Sequence, residues 1–133
     1  MEPTDFEIHG QWPSVDGEVL DALLCQEYHY GGVLADPANV IYFRVSSVWY
    51  RLTLDCGVIL WHVAKAGPET LVVHEIKAEY KIIDLGRKCS VVGSEIKAIE
   101  PIPIQRGVGV SMSFSDGRKI IFRNQDDVTT YET

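Results

Sequence analysis

The first 43 residues contain no lysine or arginine, and Arg44 is the first positively charged side chain of the chain. This segment holds eight carboxylates, whereas residues 44–133 hold eleven carboxylates and twelve basic side chains. The net charge of −7 therefore comes from the beginning of the sequence. A surface of this kind repels nucleic acid and attracts basic surfaces, so we expect no nucleic-acid partner and a possible basic protein partner.

Long apolar runs are also missing. No stretch approaches the ~20 apolar residues that a membrane-spanning helix needs. The first five residues, MEPTD, have neither the basic start nor the apolar core of a secretory signal. We therefore expect no membrane insertion and a cytoplasmic protein.

Cysteine is scarce, with only Cys25, Cys56 and Cys89 at wide spacing and no C-x-x-C pair. An odd number of distant cysteines predicts free thiols rather than a disulfide framework. Cys25 and His29 are four residues apart, but two ligands do not make a zinc site. No metal or other cofactor is expected.

Catalytic motifs are absent as well. Gly107-Val-Gly109 lacks the third glycine and the strand-to-helix context of a phosphate-binding loop. The paired carboxylates have no sign of the apolar pocket that would tune them for acid–base catalysis. The sequence therefore predicts a protein without enzymatic activity and with no catalytic residue.

Two similar hairpins are the clearest structural feature that is present, in residues 50–62 and 110–122. A three-residue loop ending in Gly57 would pair Leu52 with Leu60, and one ending in Gly117 would pair Met112 with Ile120. In the second hairpin, a two-residue turn would mix apolar and charged faces, so burial favours the longer loop. The likeness is open to two interpretations, an internal duplication or convergent hairpin chemistry.

Other segments extend the β pattern over a single domain, residues 1–133. Residues 76–82 alternate between apolar and polar side chains, as a half-buried strand does. Residues 40–45 and 71–73 are shorter strand candidates. Pro101 and Pro103 exclude a helix in residues 96–104 and favour an edge strand.

One helix is predicted, from about Val15 to Tyr30. It would end at Gly31-Gly32, and its apolar side chains recur at helical spacing. They are Val19, Leu20, Leu23, Leu24 and Tyr28. The predicted fold class is thus mainly β (α+β), an antiparallel sandwich or barrel-like sheet with one packed N-terminal helix.

The acidic face of this helix is the first candidate site. Asp16, Glu18, Asp21 and Glu27 are its candidate partner-binding residues. A non-catalytic protein could present such a face to a basic protein, as an inhibitor or an immunity protein does.

Trp49 and Trp61 are the second candidate site. The predicted register places both on the face of the first hairpin opposite Leu52 and Leu60. That hairpin would then be apolar on both faces. The rings could lie in the centre of a sandwich, line a small-ligand groove with Tyr50, or form a homodimer interface.

Overall fold

A computed structural model describes residues 6–68, 71–73 and 77–133. The described residues form eleven strands and one short helix. In chain order these elements are β1 (Glu7–His9), β2 (Ala22–Tyr30), β3 (Val33–Val45), β4 (Val48–Asp55), β5 (Val58–Ala64), β6 (Leu71–Val73), β7 (Ala78–Asp84), α1 (Leu85–Lys88), β8 (Ile96–Ile104), β9 (Gly107–Phe114), β10 (Lys119–Gln125) and β11 (Val128–Glu132).

The strands form two sheets. The first has seven strands in the order β1-β5-β4-β3-β2-β7-β6, and the second has four in the order β11-β10-β9-β8. All pairings are antiparallel except β1 with β5. The mainly β, antiparallel part of the predicted fold class is therefore confirmed, and the sheets do not close into a barrel.

One apolar core lies between the sheets. From the first sheet it receives alternate side chains of β2 to β5, and from the second sheet those of β9 and β10. The largest fully buried side chains include Phe43, Phe114 and Phe122. Each sheet thus buries one of its two faces against the other sheet, as in a sandwich.

The predicted helix over residues 15–30 is wrong. Residues 22–30 form the strand β2, which pairs with β3 on one side and with β7 on the other. Leu23 and Cys25 point into the core, and Leu24 and Tyr28 lie half-buried on the opposite face. Apolar side chains on both faces of an inner strand imitate helical spacing, and pairing with two neighbours overrides the helix propensity of this segment.

The register of the first hairpin also differs from the prediction. Leu52 pairs with Trp61 instead of Leu60, because a two-residue turn of Cys56 and Gly57 connects β4 to β5. Both turn residues have positive φ, 46° and 78°, as a type I′ hairpin requires. Cys56 is an unusual residue at this position, so the turn was not recognised from the sequence.

The second hairpin has the predicted register. Met112 pairs with Ile120 and Val110 with Phe122, around a three-residue loop in which Gly117 has a φ of 94°. The other β predictions also agree: residues 40–45 lie in β3, residues 71–73 form β6, and β8 is an edge strand of the second sheet. The strand predicted over residues 76–82 is β7, although Ile76 lies outside the described residues.

Trp12 closes one side of the sandwich. Its indole N–H donates a hydrogen bond of 3.0 Å to the carbonyl oxygen of Ile99 on β8, and its ring meets Trp61 edge to face at 5.3 Å. The segment before it passes close to β5, because a Cβ on Gly10 would collide with the carbonyl oxygen of Trp61. Within the described residues, no helix has the length and apolar character needed to cross a membrane.

Candidate functional site

The acidic loop, residues 16–21, takes the place of the predicted helical face. Backbone hydrogen bonds hold it against the start of β8 and the turn before it, from Gly17 N–H to Ile96 O at 2.7 Å and from Leu20 N–H to Ser94 O at 3.0 Å. Val15 just before the loop and Leu20 within it are buried in the core. Buried side chains and backbone hydrogen bonds therefore hold both ends of the loop in place.

The side chains of Asp16, Glu18 and Asp21 are all exposed. Glu18 accepts a hydrogen bond of 3.1 Å from the Ser46 hydroxyl. No salt bridge to lysine or arginine reaches these three carboxylates in the part of the chain that the structure describes. Their negative charge is thus left facing solvent.

Glu95 extends this surface, because an isolated bridge places it opposite Val19 of the acidic loop. It too is exposed, and it accepts a hydrogen bond of 2.6 Å from Ser115. Glu95 is distant from the acidic loop in the chain, so the sequence alone could not assign it to this surface. Only the folding of the segment before β8 against the loop brings it there.

Glu27 lies apart from the acidic loop. It is in β2, six residues beyond Asp21, and successive strand residues advance by about 3.3 Å. Its carboxylate lies 3.0 Å from Nε2 of His29, and only 23% of its side chain is exposed. The structure therefore brings three of the four predicted partner-binding residues together and separates the fourth.

Trp49 and Trp61 lie on opposite faces of the β4–β5 hairpin. Trp61 is 3% exposed and packs in the core against Phe43, with ring centroids 5.9 Å apart. Trp49 lies half-buried on the outer face, where the Arg44 guanidinium is 5.4 Å from its ring centroid. The two rings do not line a common groove.

A cleft of about 720 Å³ lies between α1 and the strands β10 and β11, at the same end of the second sheet as the acidic loop. Its floor is apolar, with Val91 and Ile120 each 1% exposed. Lys88 and Lys119 are exposed on its walls. The cleft thus combines a buried apolar base with two cationic side chains, in a protein whose net charge is −7.

Arg118 forms a rigid wall of this cleft. Its guanidinium donates to the Asp116 carboxylate at 2.9 and 2.6 Å, to the Ser94 hydroxyl at 2.7 Å and to the Ser90 carbonyl oxygen. The Asp116 carboxylate raises the pKa of Arg118, and Arg118 lowers the pKa of Asp116. Because its donors are occupied and its charge is balanced, Arg118 shapes the cleft without offering a free cation.

Lys88 is positioned by Tyr131. Its ammonium group donates a hydrogen bond of 2.7 Å to the tyrosine hydroxyl and lies 5.4 Å from the ring centroid. This hydrogen bond raises the pKa of Lys88, so the side chain stays charged over the physiological range. Cys89 also lines the cleft, and its partial burial raises the pKa of its thiol.

A third group of polar side chains joins two hairpin tips. Asp55, Cys56 and Asp127 are exposed, and their potential ligand atoms lie within 4.8 Å of one another. The Cys56 thiol donates to Asp127 Oδ1 at 3.1 Å, and this bond raises its pKa to about 11. Since a metal would bind the thiolate, the two carboxylates that favour the protonated thiol also oppose this step.

Sequence reasoning missed Lys88, Lys119 and Tyr131 as a group. They occur in α1, β10 and β11, and no spacing pattern connects them. Comparisons with protein-family models, with curated proteins and with solved structures found no match to this chain.

Proposed function

We propose that this protein is a non-catalytic binding protein that presents its acidic loop to a basic protein partner, in the manner of an inhibitor or an immunity protein. The observation that carries the proposal is the exposure of Asp16, Glu18 and Asp21 on one fastened loop, without a basic residue that neutralises them among the described residues. Uncompensated charge of one sign steers a complementary partner and selects against partners of the same sign.

The fixed conformation of the loop adds to this argument. A loop that is already ordered before binding loses less conformational entropy when a partner docks. Val15 and Leu20 anchor it in the core, and hydrogen bonds to Ser94 and to Ile96 at the start of β8 hold its backbone. The backbone that carries the three carboxylates is therefore held in place before a partner binds.

We place this activity in the cytoplasm on the basis of thiol chemistry. Cys25, Cys56 and Cys89 are all free. Free thiols of this kind are typical of proteins in reducing compartments.

The test compares two triple variants with the same change in net charge. The first, Asp16→Asn/Glu18→Gln/Asp21→Asn, neutralises the acidic loop. The control, Glu79→Gln/Glu100→Gln/Asp126→Asn, neutralises carboxylates on other elements. The probe is a peptide of alternating lysine and serine, titrated into labelled protein and followed by amide chemical shifts.

We expect the wild-type protein and the control to bind the peptide at the acidic loop, with an affinity that falls as salt is added. The loop variant should bind markedly more weakly. Equal binding by both variants would show that only the net charge matters and would contradict the proposal. Shifts centred away from residues 16–21 would contradict it as well.

One observation supports the alternative that the protein forms a homodimer. Leu60 and Val63 on β5 are 39% and 66% exposed, so this hairpin presents apolar side chains to solvent. Sedimentation equilibrium over a range of concentrations distinguishes a dimer from a monomer. A Val63→Glu substitution should abolish a dimer built on this hairpin, because an interface would bury the new charge.

A further inference from the structure

We propose that the cleft between α1 and the strands β10 and β11 binds a small amphipathic anion, a molecule with one carboxylate or phosphate group on an apolar body. The cleft adjoins the acidic loop, because its wall residue Arg118 donates to the Ser94 hydroxyl and Ser94 O accepts from Leu20 N–H, but the proposal does not depend on the function proposed for that loop. Its three determinants are the volume of the cleft, the half-buried apolar side chains that line it and its two exposed lysines.

The volume matches a small-molecule site. Ligand pockets have volumes of roughly 300–1,000 Å³ and are largely apolar with a few placed polar groups. The cleft, at about 720 Å³, lies in this range. Val91 and Ile120, each 1% exposed, close the floor, and the half-buried side chains of Cys89 and Tyr131 supply the apolar surface that a ligand can contact.

The charge balance of the walls selects an anion. Arg118 is balanced by Asp116, and the acidic side chain on the rim, Glu132, is balanced by Arg123 at 2.6 Å. Lys88 and Lys119 are left, and neither forms a salt bridge within the described residues. An acidic protein repels anions over most of its surface. A cleft with two lysines that pair with no carboxylate repels an anion less than the rest of that surface does.

The geometry orients the ligand. Lys88 is held over Tyr131, at the side of α1, and Lys119, the first residue of β10, also lines the cleft. An anionic group paired with Lys88 would leave its apolar body against Cys89 and Tyr131, and Lys119 would add a second positive charge to the cleft. Hydrophobic contact would then supply the affinity, and the lysines would supply the selectivity for negative charge.

The experiment uses four probes with the same eight-carbon chain: octanoate, octyl phosphate, 1-octanol and octylammonium. Each is titrated into labelled full-length protein, and amide shifts at Cys89, Lys119 and Ile120 report on the cleft. We expect the two anions to bind at these residues, and the alcohol and the cation to bind on the order of tenfold more weakly or not at all. The relative affinities of octanoate and octyl phosphate then identify the preferred anionic group.

A matched pair of variants tests the lysines. Lys88→Ala/Lys119→Ala should weaken binding of the anions on the order of tenfold, whereas Lys65→Ala/Lys97→Ala, which removes two exposed lysines elsewhere, should leave it unchanged. Both variants change only exposed side chains, so both should fold. As a second readout, saturating anion should slow the alkylation of Cys89.

Three results would overturn the proposal. The first is an absence of shifts in the cleft with either anion at millimolar concentration. The second is 1-octanol binding as well as octanoate, which would make the cleft an unselective apolar groove. The third is an equal loss of affinity in both double variants, which would assign the effect to net charge.

Discussion

The carboxylate of Asp36 on β3 accepts a hydrogen bond of 3.1 Å from the backbone N–H of Thr129 on β11, and so joins the two sheets on the side opposite Trp12. Thr129 is 1% exposed. Burial raises the pKa of Asp36, although hydrogen bonds from the backbone N–H groups of Thr129 and Ala38 work in the other direction. The Asp36 carboxylate therefore accepts the hydrogen bond that joins the sheets, although its burial disfavours the charged form.

Asp36→Asn keeps an oxygen acceptor for Thr129 and removes the buried charge. Because the pKa of Asp36 is raised in the folded state, the folded protein holds this proton more tightly than the unfolded chain does. Wild-type stability is therefore greater below the unfolded pKa and declines as the pH rises through the folded pKa. We expect the variant to lose this decline, and to be at least as stable as the wild type at pH 7.

Asp36→Ala is the control for the hydrogen bond itself. It leaves the buried N–H of Thr129 without its acceptor, which costs about 1–3 kcal/mol of unfolding free energy. Urea titrations of the wild type and both variants between pH 3 and pH 7 measure these differences. If Asn destabilised the protein at pH 7 as much as Ala does, the charge of Asp36 would be favourable and our interpretation of its burial would be wrong.

Trp12 should contribute strongly to stability, because it covers the other side of the sandwich. Trp12→Ala removes a large packed ring, and we expect a loss of about 3 kcal/mol. Trp12→Phe keeps an aromatic contact with Trp61 but loses the hydrogen bond to Ile99, so we expect a loss of about 1 kcal/mol. Thermal or urea unfolding measures both values.

Trp49→Ala provides the comparison, since Trp49 lies on the outer face of the first sheet. It should cost less than Trp12→Ala, because Trp49 packs on Arg44 and Gly67 outside the core, whereas Trp12 packs against the core itself. A smaller effect for Trp12→Ala than for Trp49→Ala would mean that the side of the sandwich is not sealed by Trp12.

Cys56 should be a slow nucleophile despite its exposure. Its hydrogen bond to Asp127 and the nearby charge of Asp55 raise its pKa from 9.0 to about 11. The thiolate fraction at pH 8 then falls about 100-fold, and the greater nucleophilicity of a more basic thiolate recovers about tenfold of that loss. We therefore expect alkylation by iodoacetamide on the order of tenfold slower than for an ordinary exposed cysteine.

Asp127→Asn should accelerate this reaction at pH 8 and move its pH profile to lower pH. Asp126→Asn is the matched control, because Asp126 has a similar positive φ, 53° against 65°, and pairs with Arg106 instead of Cys56. Mass spectrometry assigns the label to Cys56 rather than to Cys25 or Cys89. Equal acceleration by the two variants would show that the total negative charge of the hairpin tip, and not the hydrogen bond to Asp127, sets the reactivity of the Cys56 thiol.

Features that depend on neighbouring residues in the chain were predictable. The register of the second hairpin followed from Gly117 and from the alternation of Val110, Met112, Ile120 and Phe122. The prolines of β8 predicted an edge strand, because proline has no backbone N–H to donate to a neighbouring strand. The exposure of Asp16, Glu18 and Asp21 followed from their charge, although the predicted helix did not form.

By itself, the sequence thus determined that the chain is rich in β-strands and that its first 43 residues are acidic. Turn chemistry, alternation and charge can be read from residues that are adjacent in the chain. Only the tertiary structure decided that residues 22–30 form a strand, because their pairing with β3 and β7 outweighs their local helix propensity. It alone placed Lys88 beside Tyr131, in a cleft that Lys119 also lines. Groups that are distant in the chain become neighbours only through long-range packing, and no local pattern records which of them will meet.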